Sequence, residues 1–200
     1  MSGKKKPIDE KIMIAKFQSS FIAESRMSEF LMSVTSSHQE SISLDDFRHG
    51  MRRLASGVSL VTTQHAGEKY GLIASSVSSL TAEPPSLLVC VNQSATSHAY
   101  FLQAGHFAVN VLREQHADLC AQFSQSSRRE ERFQTGNWQT ITTGAPVLAD
   151  ALVSFDCQLE KVVEWHTHSV LLARIVGINL AGEAAEPMVY FNSGFHALSL

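Results

Sequence analysis

An excess of basic charge is the first thing this sequence lacks. Its 16 lysine and arginine residues stand against 19 aspartate and glutamate residues, which gives a formal net charge of −3. A chain without a broad basic surface cannot neutralise many phosphates, which argues against nucleic acid as a partner. No apolar run approaches the roughly 18 residues of a membrane helix, and the start of the chain lacks the apolar region of a signal peptide. We therefore expect a cytoplasmic protein with neither a membrane nor a nucleic-acid partner.

Cysteine is also scarce. The three cysteines, Cys90, Cys120 and Cys157, lie far apart in apolar stretches, and the chain has no C-x-x-C motif. This pattern predicts buried, reduced thiols and argues against a disulfide framework.

Several familiar nucleotide and hydrolase motifs are missing. The chain contains no G-x-G-x-x-G, Walker A, H-E-x-x-H or G-x-S-x-G sequence, so a nucleotide cofactor would have to bind outside a Rossmann or P-loop fold. What is present is an ordinary globular composition, with 44% hydrophobic and 18% charged residues in a length of 200 that suits one domain with a short appendage.

Residues 1–41 differ from the rest of the chain. They open with three lysines, carry apolar residues at roughly helical spacing and end in a serine-rich stretch. We interpret this segment as an N-terminal helical or partly disordered extension without a cofactor contact, packing on its own dimer or fraying in solvent. A membrane-surface helix is the less favoured alternative, and Met27 and Met32 leave the translation start open. Residues 42–200 are interpreted as the functional domain.

From Ser43 onward the local signals alternate between helices and strands. Ser43 with Asp46 predicts a helix start, and Gly57 predicts its end. Residues 58–64 and 70–80 predict two strands joined as a hairpin. The other predicted elements are strands at 86–92, 107–112, 152–163, 168–180 and 188–191, helices at 96–102 and 114–123, and an exposed loop at 124–137. Many short strands without strand-helix-strand alternation predict a mainly β fold, a closed antiparallel barrel.

Three segments carry candidate binding residues. At residues 71–76, small side chains and hydroxyls on a strand would let a planar ring lie against the backbone, with an ordinary exposed strand face as the alternative. At residues 92–97, hydroxyl and amide donors before a helix start suit a phosphate, with simple N-capping as the alternative. His168 begins an apolar strand and would share a face with His166. No third ligand accompanies them, so we predict no metal site and leave open a cofactor contact or a surface position for His168.

Taken in chain order, these segments resemble the short-chain flavin reductase family. The resemblance covers about residues 42–200. It is carried by FRHGMRRLASGVSLVTT at 47–63, GLIASSVSSL at 71–80, PPSLLVCVN at 84–92, FAVNVL at 107–112, GAPVL at 144–148, the strand at 168–176 and VYFNSGF at 189–195. Residues 130–133, 138–139, 190–191 and 195–196 resemble the reductase component of two-component 4-hydroxyphenylacetate 3-monooxygenase.

This resemblance implies an FMN-binding split β-barrel, antiparallel and of the Greek-key type, in a protein that is usually a homodimer with flavin near the subunit interface. It implies an NAD(P)H-dependent flavin reductase that transfers a hydride from NADH to FMN or FAD. The reduced flavin would be supplied to a separate monooxygenase such as an aromatic hydroxylase. A non-catalytic flavin-binding or electron-carrier protein is the alternative. The choices between FMN and FAD, and between NADH and NADPH, stay open at this stage.

The resemblance also assigns site residues. Those along the flavin ring would be Ile73, Ala74, Ser75 and Ser76. Those near the ribityl chain and phosphate would be Asn92, Gln93, Ser94, Thr96 and Ser97. His168 matches the family's histidine beside the nicotinamide, and no acid or base is assigned because the cofactors carry the chemistry.

Three positions depart from the family pattern. The family commonly has threonine at Ile73, lysine or arginine at Gln93, and Gly-Glu at Ala173-Arg174. Without a cation at Gln93, we expect weaker phosphate binding and a flavin that behaves as a substrate, unless Arg52, Arg53 or the loop at 128–132 supplies the charge.

Overall fold

The computed structural model describes residues 42–180, 182 and 186–198, and the chain divides into two compact units, residues 1–47 and 48–200. The extension predicted for residues 1–41 lies outside the described residues. Ser43 caps helix α1 (Leu44–Met51) as predicted: its Oγ accepts a 3.0 Å hydrogen bond from the Asp46 N–H and donates to the Asp46 carboxylate at 2.7 Å. Every residue of α1 is exposed.

The second unit is built mainly from antiparallel strands. After the two-residue strand β1 (Ser56–Gly57), strands β2 (Ser59–His65) and β3 (Glu68–Ala74) form the predicted hairpin. Its turn residues Ala66 and Gly67 have φ angles of +51° and +85°. Two-residue hairpin turns with the correct twist require such left-handed angles, which glycine adopts without strain.

The single strand predicted for residues 70–80 is wrong, because the chain forms two strands there. β3 ends at Ala74, Ser75 and Ser76 form a link, and β4 (Val77–Ala82) begins. β3 pairs with β2, whereas β4 pairs with β5 (Pro85–Asn92). Alanine and serine are not strong breakers, so the strand-like pattern continues through a point where the backbone changes partners.

The remaining elements include the other predicted helices and strands, with small shifts at their ends, and some short strands that were not predicted. They are α2 (His98–Ala104), β6 (His106–Val111), α3 (Ala117–Ser124), β7 (Trp138–Gln139), β8 (Val147–Leu148), β9 (Val153–Trp165), β10 (His168–Leu180), β11 (Met188–Phe191) and β12 (Gly194–Ala197). Short 3-10 segments at Glu114–His116 and Ser126–Glu131 flank α3. The region at 124–137 is therefore more ordered than the loop prediction implied, and the short strands β1, β7, β8 and β12 were not predicted.

Seven strands form one antiparallel sheet in the order β3-β2-β6-β9-β10-β5-β4. Its two edge strands, β3 and β4, are separated by only Ser75 and Ser76, so the sheet must roll until its edges approach each other at this corner. Within the described residues no ladder joins β3 to β4. The mainly β, antiparallel prediction is confirmed. The closed barrel is wrong, because the chain changes sheet edge without pairing the two edge strands; we call this open line the seam.

Both faces of the rolled sheet are covered. Adjacent residues of a strand point to opposite faces, so Val61 and Leu60 of β2 belong to different clusters. The interior cluster contains Val61, Val89, Val91, Phe101, Phe107 and Leu171, each at most 1% exposed. The outer cluster joins Leu60 to Leu119 and Phe123 of α3. The rigid sheet thereby holds α3 and the segment that follows it beside the outer face of β3.

The thiols are largely buried, as predicted. Cys120 and Cys157 are buried, Cys90 is partly buried, and all three are free. Burial raises the pKa of the Cys157 thiol to about 12, which keeps it protonated and unreactive at neutral pH. Among the described residues, no helix combines the length and the apolar character needed to cross a membrane.

Candidate functional site

The link between β3 and β4 is fastened to β5. The Ser76 hydroxyl donates to the Cys90 carbonyl at 2.9 Å, and the Cys90 N–H donates to the Ser76 carbonyl at 3.1 Å. Ser75 and Ser76 are exposed, and Ala74 beside them is buried. The link is thus a stretch of small, exposed side chains that is bonded to Cys90, two residues before β5 ends at Asn92.

The loop at 92–97 is ordered by its own first residue. The Asn92 carboxamide oxygen accepts hydrogen bonds from the Ser94 N–H and the Ser94 hydroxyl, both at 2.8 Å. The Ala95 N–H donates to the Asn92 carbonyl at 3.0 Å. An Asx-type turn of this kind shapes the loop locally, and it leaves Thr96 exposed at its far end.

Ser97 reaches β3 and does not cap α2 with its side chain. It occupies the N-cap position without a side-chain capping bond, and its hydroxyl lies 3.5 Å from the Gly71 carbonyl oxygen, at the limit of a hydrogen bond. A Cβ at Gly71 would lie 2.7 Å from the Phe123 ring, so only glycine lets α3 pack this closely on β3. The two predicted binding segments therefore meet where Ser97 contacts Gly71 of β3.

A cavity of about 330 Å³ lies at this meeting point. It is lined by Glu68, Lys69, Tyr70, Gly71, Thr96, Ser97, Tyr100, Arg129, Glu130, Arg132 and Phe133. Of the predicted site residues, the cavity takes in Thr96 and Ser97. The other predicted site residues do not line it. They belong to the end of β3 (Ile73 and Ala74), the link (Ser75 and Ser76), the end of β5 and the loop after it (Asn92, Gln93 and Ser94), and the start of β10 (His168).

Three arginines of the segment after α3 have different partners. Arg128 donates to Asp118 at 2.7 Å and to Glu131 at 2.9 Å, so two carboxylates neutralise it. Arg132 donates to the carbonyls of Gln122 and Phe123 at 3.1 and 3.0 Å and lies over the Phe123 ring. Arg129 is exposed and has no side-chain partner within the described residues. It is the guanidinium of this segment that is free to meet an anion in the cavity.

Two tyrosines form the aromatic wall of the cavity. The rings of Tyr70 on β3 and Tyr100 on α2 stack with centroids 3.6 Å apart and planes 11° apart. Desolvation, followed by a hydrogen bond with Tyr100, raises the pKa of Tyr70. Tyr70 therefore stays protonated at neutral pH and is a neutral aromatic surface.

His168 lies beside Asn92 and outside the cavity. The two are opposite each other in the register of β10 and β5, so their side chains share one face of the sheet. His168 is exposed, and its Nδ1 lies 2.9 Å from the Thr167 hydroxyl. The Gln93 carboxamide lies 3.4 Å from the His168 carbonyl oxygen, so the neutral residue at the family's cation position turns toward β10.

The predicted shared face of His166 and His168 is wrong. His166 has a φ angle of +50° and belongs with Thr167 to the turn between β9 and β10, so it is not on a strand. The alternation of side chains holds only within extended backbone. Among the described residues, no group of three potential ligands is placed to hold a metal ion.

The structure brings together part of what the sequence singled out. Ser76 and Asn92 are connected through β5, and Ser97 meets β3 at Gly71. Sequence reasoning missed Tyr70 and Tyr100, which come together only because β3 and α2 meet. Arg129 lies within the loop that had been named as an alternative source of positive charge.

The ion pairs of Arg128 are expected to open in acid. Hydrogen bonds from Arg128 are the main cause that lowers the pKa of both Asp118 and Glu131. A carboxylate with a lowered folded-state pKa stabilises the fold fully above its ordinary pKa of about 4 and loses this contribution as the pH falls through the lowered value.

Trp138 can report this change, because it packs on Phe133 and its indole N–H donates to the Thr135 carbonyl at 2.7 Å. In a Trp165→Phe background, its fluorescence should stay constant from pH 7 to about 5 and change below about 4. Arg128→Met should abolish this step. An identical acid transition in both proteins would contradict the assignment.

Comparison with known proteins agrees with this architecture. Residues 51–199 match the family described as "Flavin reductase like domain". FMN reductase (NADH) RutF of Ancylobacter novellus is 40% identical over 159 residues, which cover 80% of this chain and 87% of that protein.

Two solved structures share the fold. SgcE6, the NADH:FAD oxidoreductase of Streptomyces globisporus C-1027 in complex with NAD and FAD fragments, has a TM-score of 0.72 and 26% identity over 80% of this chain and 97% of its own. BorF, the flavin reductase component of a bacterial two-component tryptophan halogenase, has a TM-score of 0.71 and 26% identity over 78% and 98%. The predicted family resemblance is confirmed, and the chain belongs to the flavin reductase-like domain family.

Proposed function

We propose that this chain is a cytoplasmic NAD(P)H:flavin oxidoreductase that reduces FMN or FAD with NADH and releases the reduced flavin to a separate oxygenase. The relative in A. novellus is an FMN reductase (NADH), and SgcE6 is an NADH:FAD oxidoreductase. BorF is the reductase component of a two-component enzyme. Membership of the same family supports the same activity here.

The observation that carries the proposal is the cavity between β3, the start of α2 and the segment after α3. It combines the exposed Thr96 hydroxyl and the Ser97 hydroxyl with the unpaired Arg129. Hydroxyl and guanidinium donors are the groups that hold a phosphate. The chemistry of this donor set therefore fits the phosphate end of a flavin nucleotide, and Arg129 supplies the charge that is absent at Gln93.

Strand β3 leads from this cavity to the predicted ring site. Ala74 lies three residues along β3 from Gly71, about 10 Å at the rise of a strand, a distance suited to a ribityl chain. Buried Ala74 and exposed Ser75 and Ser76 leave room for a planar ring beside the backbone. In this proposal, Ile73 to Ser76 lie along the ring, and Asn92 to Ser94 lie near the ribityl chain.

His168 is the proposed contact for the reduced nicotinamide. Its register position opposite Asn92 puts it on the same face of the sheet as the start of the loop. When both nucleotides are bound, the nicotinamide supplies a hydride to the flavin. The chain's own contribution is to hold and orient the two rings, and no side chain is needed to move a proton.

A homodimer is also part of the proposal. Large apolar side chains stay exposed in the second unit, among them Leu80 at 49%, Trp165 at 68% and Phe195 at 50%. Such side chains are frequent at subunit contacts. Light scattering on the purified protein would measure whether its mass is that of one chain or of two.

The function is tested by mixing the purified chain with NADH and free FMN or FAD, without air, and following the nicotinamide absorbance. Oxidation of many equivalents of NADH per chain is expected, with a rate that saturates as flavin is added. A non-catalytic flavin-binding or electron-carrier protein would stop after about one equivalent. That result would overturn the proposal.

Replacing His168 by alanine should impair the use of NADH. If the imidazole positions the nicotinamide, the variant should lose about tenfold in kcat/KM for NADH, roughly 1.4 kcal/mol, because a positioning contact is removed while the hydride chemistry is unchanged. The dissociation constant of flavin should change little. Stopped-flow kinetics under anaerobic conditions and flavin titrations measure the two effects separately.

His166→Ala is the matched control, because His166 lies in the adjacent turn and has no proposed contact. Equal losses in the two variants would contradict the role of His168. Loss of flavin binding with unchanged NADH kinetics would do the same.

A further inference from the structure

Gln93 and His98 flank the residues proposed to hold the phosphate, and both are bonded to the start of β10. The Gln93 N–H donates to the Thr167 carbonyl at 2.9 Å, and its carboxamide lies 3.4 Å from the His168 carbonyl oxygen. At the other end of the loop, the His98 Nε2 lies 2.9 Å from the Ser169 hydroxyl. The loop is therefore held at both ends by the consecutive residues 167–169.

Ser169 is the centre of this network. Its side chain is fully buried, with 0% exposure, and its hydroxyl lies between the His98 ring at 2.9 Å and the Gln93 carboxamide nitrogen at 3.5 Å. A hydroxyl can donate to one partner and accept from another, and leaving such a buried group without a partner is costly. Because Ser169 follows His168 in an extended strand, its side chain points to the opposite face of the sheet. The network thus supports the loop from the face away from the His168 side chain.

We propose that His98 is a positioning residue for the flavin phosphate. Through its bond to Ser169, it holds the start of α2 against β10, and with it the two residues before it, Thr96 and Ser97. These two residues line the cavity to which the phosphate is assigned. This role rests on the proposed flavin reductase function and deepens it, because it names a residue that acts on the phosphate without touching it.

The shape of the loop matters more here because no cation stands at Gln93. The neutral hydroxyls of Thr96 and Ser97 attract a phosphate only over hydrogen-bond distances, and their bonds weaken steeply when the geometry is poor. The charge comes from Arg129, which belongs to a different segment and does not order the loop. The network of His98, Ser169 and Gln93 therefore supplies the placement of the hydroxyls, and Arg129 supplies the charge.

Flavin titrations of the purified full chain, followed by fluorescence quenching, test this role. His98→Leu and Ser169→Ala should each raise the dissociation constant of FMN roughly three- to tenfold, because each removes the same hydrogen bond. The double variant should be no weaker than the weaker single variant, since both changes break one interaction. Riboflavin has no phosphate and should bind all of these proteins with affinities within about twofold. At saturating FMN, kcat should also stay within about twofold of the parent value, so that only the KM for FMN rises.

Two further histidine variants serve as rescue and control. His98→Gln keeps a polar group at a similar reach and should bind FMN within about twofold of the parent. His106→Leu is the matched control, because His106 is also half-buried but lies beyond the other end of α2, where its Nδ1 is 2.9 Å from the Ala104 carbonyl oxygen. This variant should leave FMN affinity unchanged. If Ser169→Ala does not fold, the comparison of His98→Leu with His98→Gln decides the question.

Unchanged FMN affinity in His98→Leu, in a chain that reduces FMN, would overturn this role and leave the proposed function intact. Equal losses of FMN and riboflavin affinity would also overturn it, because the network would then support the fold and not the phosphate. The expected shifts in a chain that oxidises only about one equivalent of NADH would instead overturn the proposed function.

Discussion

Replacing Arg129 by alanine is expected to raise the dissociation constants of FMN and FAD alike by roughly 10- to 30-fold, about 1.4 to 2 kcal/mol, the value of a charge-assisted hydrogen bond to phosphate in a partly open site. Arg128 cannot substitute, because Asp118 and Glu131 hold it. Arg132 is held by two backbone carbonyls. Quenching of flavin fluorescence on binding measures both constants.

Riboflavin provides an internal control for this prediction. It has the same ring and ribityl chain but no phosphate, so its affinity should be the same for the parent protein and Arg129→Ala. Arg53→Ala is the matched arginine control, because Arg52 and Arg53 line a separate cavity of about 300 Å³ with His49, Phe191 and Asn192. A loss of FMN affinity in Arg53→Ala would contradict the placement of the phosphate at Arg129. A loss of riboflavin affinity in Arg129→Ala would contradict it too.

Replacing Asn110 by leucine is expected to lower the free energy of unfolding by about 3 kcal/mol, because several buried polar groups lose their partner at once. The Asn110 side chain is fully buried, with 0% exposure. Its amide donates to the Leu60 carbonyl at 2.9 Å, and its oxygen accepts from the Leu148 N–H and the Ser154 hydroxyl at 2.8 Å each. One side chain thus ties β2, β6, β8 and β9 together, and leucine satisfies none of these groups.

Urea unfolding measures this effect as a lower midpoint with an unchanged dependence on denaturant. Asn179→Leu is the matched control, because Asn179 is partly buried and makes one side-chain bond, to the Ala149 carbonyl at 3.0 Å. It should cost about 1 kcal/mol. Similar losses in the two variants would show that the Asn110 network contributes no more than a single bond.

Local chemistry made much of this fold predictable. The capping pair of Ser43 and Asp46 marks a helix start wherever it occurs, and the Ala66-Gly67 turn joins two runs of β-forming residues. The order of such segments, including FAVNVL around Asn110, carried the family resemblance. These signals act between residues that are near in sequence, so they need no tertiary structure to be recognised.

The candidate site depended on contacts that local signals do not encode. Nothing within residues 70–80 indicates that the chain leaves one sheet edge at Ser75, because that depends on which strands β3 and β4 find as partners. Three arginines within five positions look equivalent in the sequence, and only packing on α3 separates the bound Arg128 and Arg132 from the free Arg129.

Sequence alone thus determined the β-rich composition of the domain, its helix and hairpin signals, and the family to which it belongs. Tertiary structure decided where the barrel is split, which arginine faces the cavity, and that Tyr70 stacks on Tyr100 thirty positions away. The physical reason is that propensities and caps arise from neighbouring atoms along the chain, whereas the site is assembled from strand register and side-chain packing between distant segments.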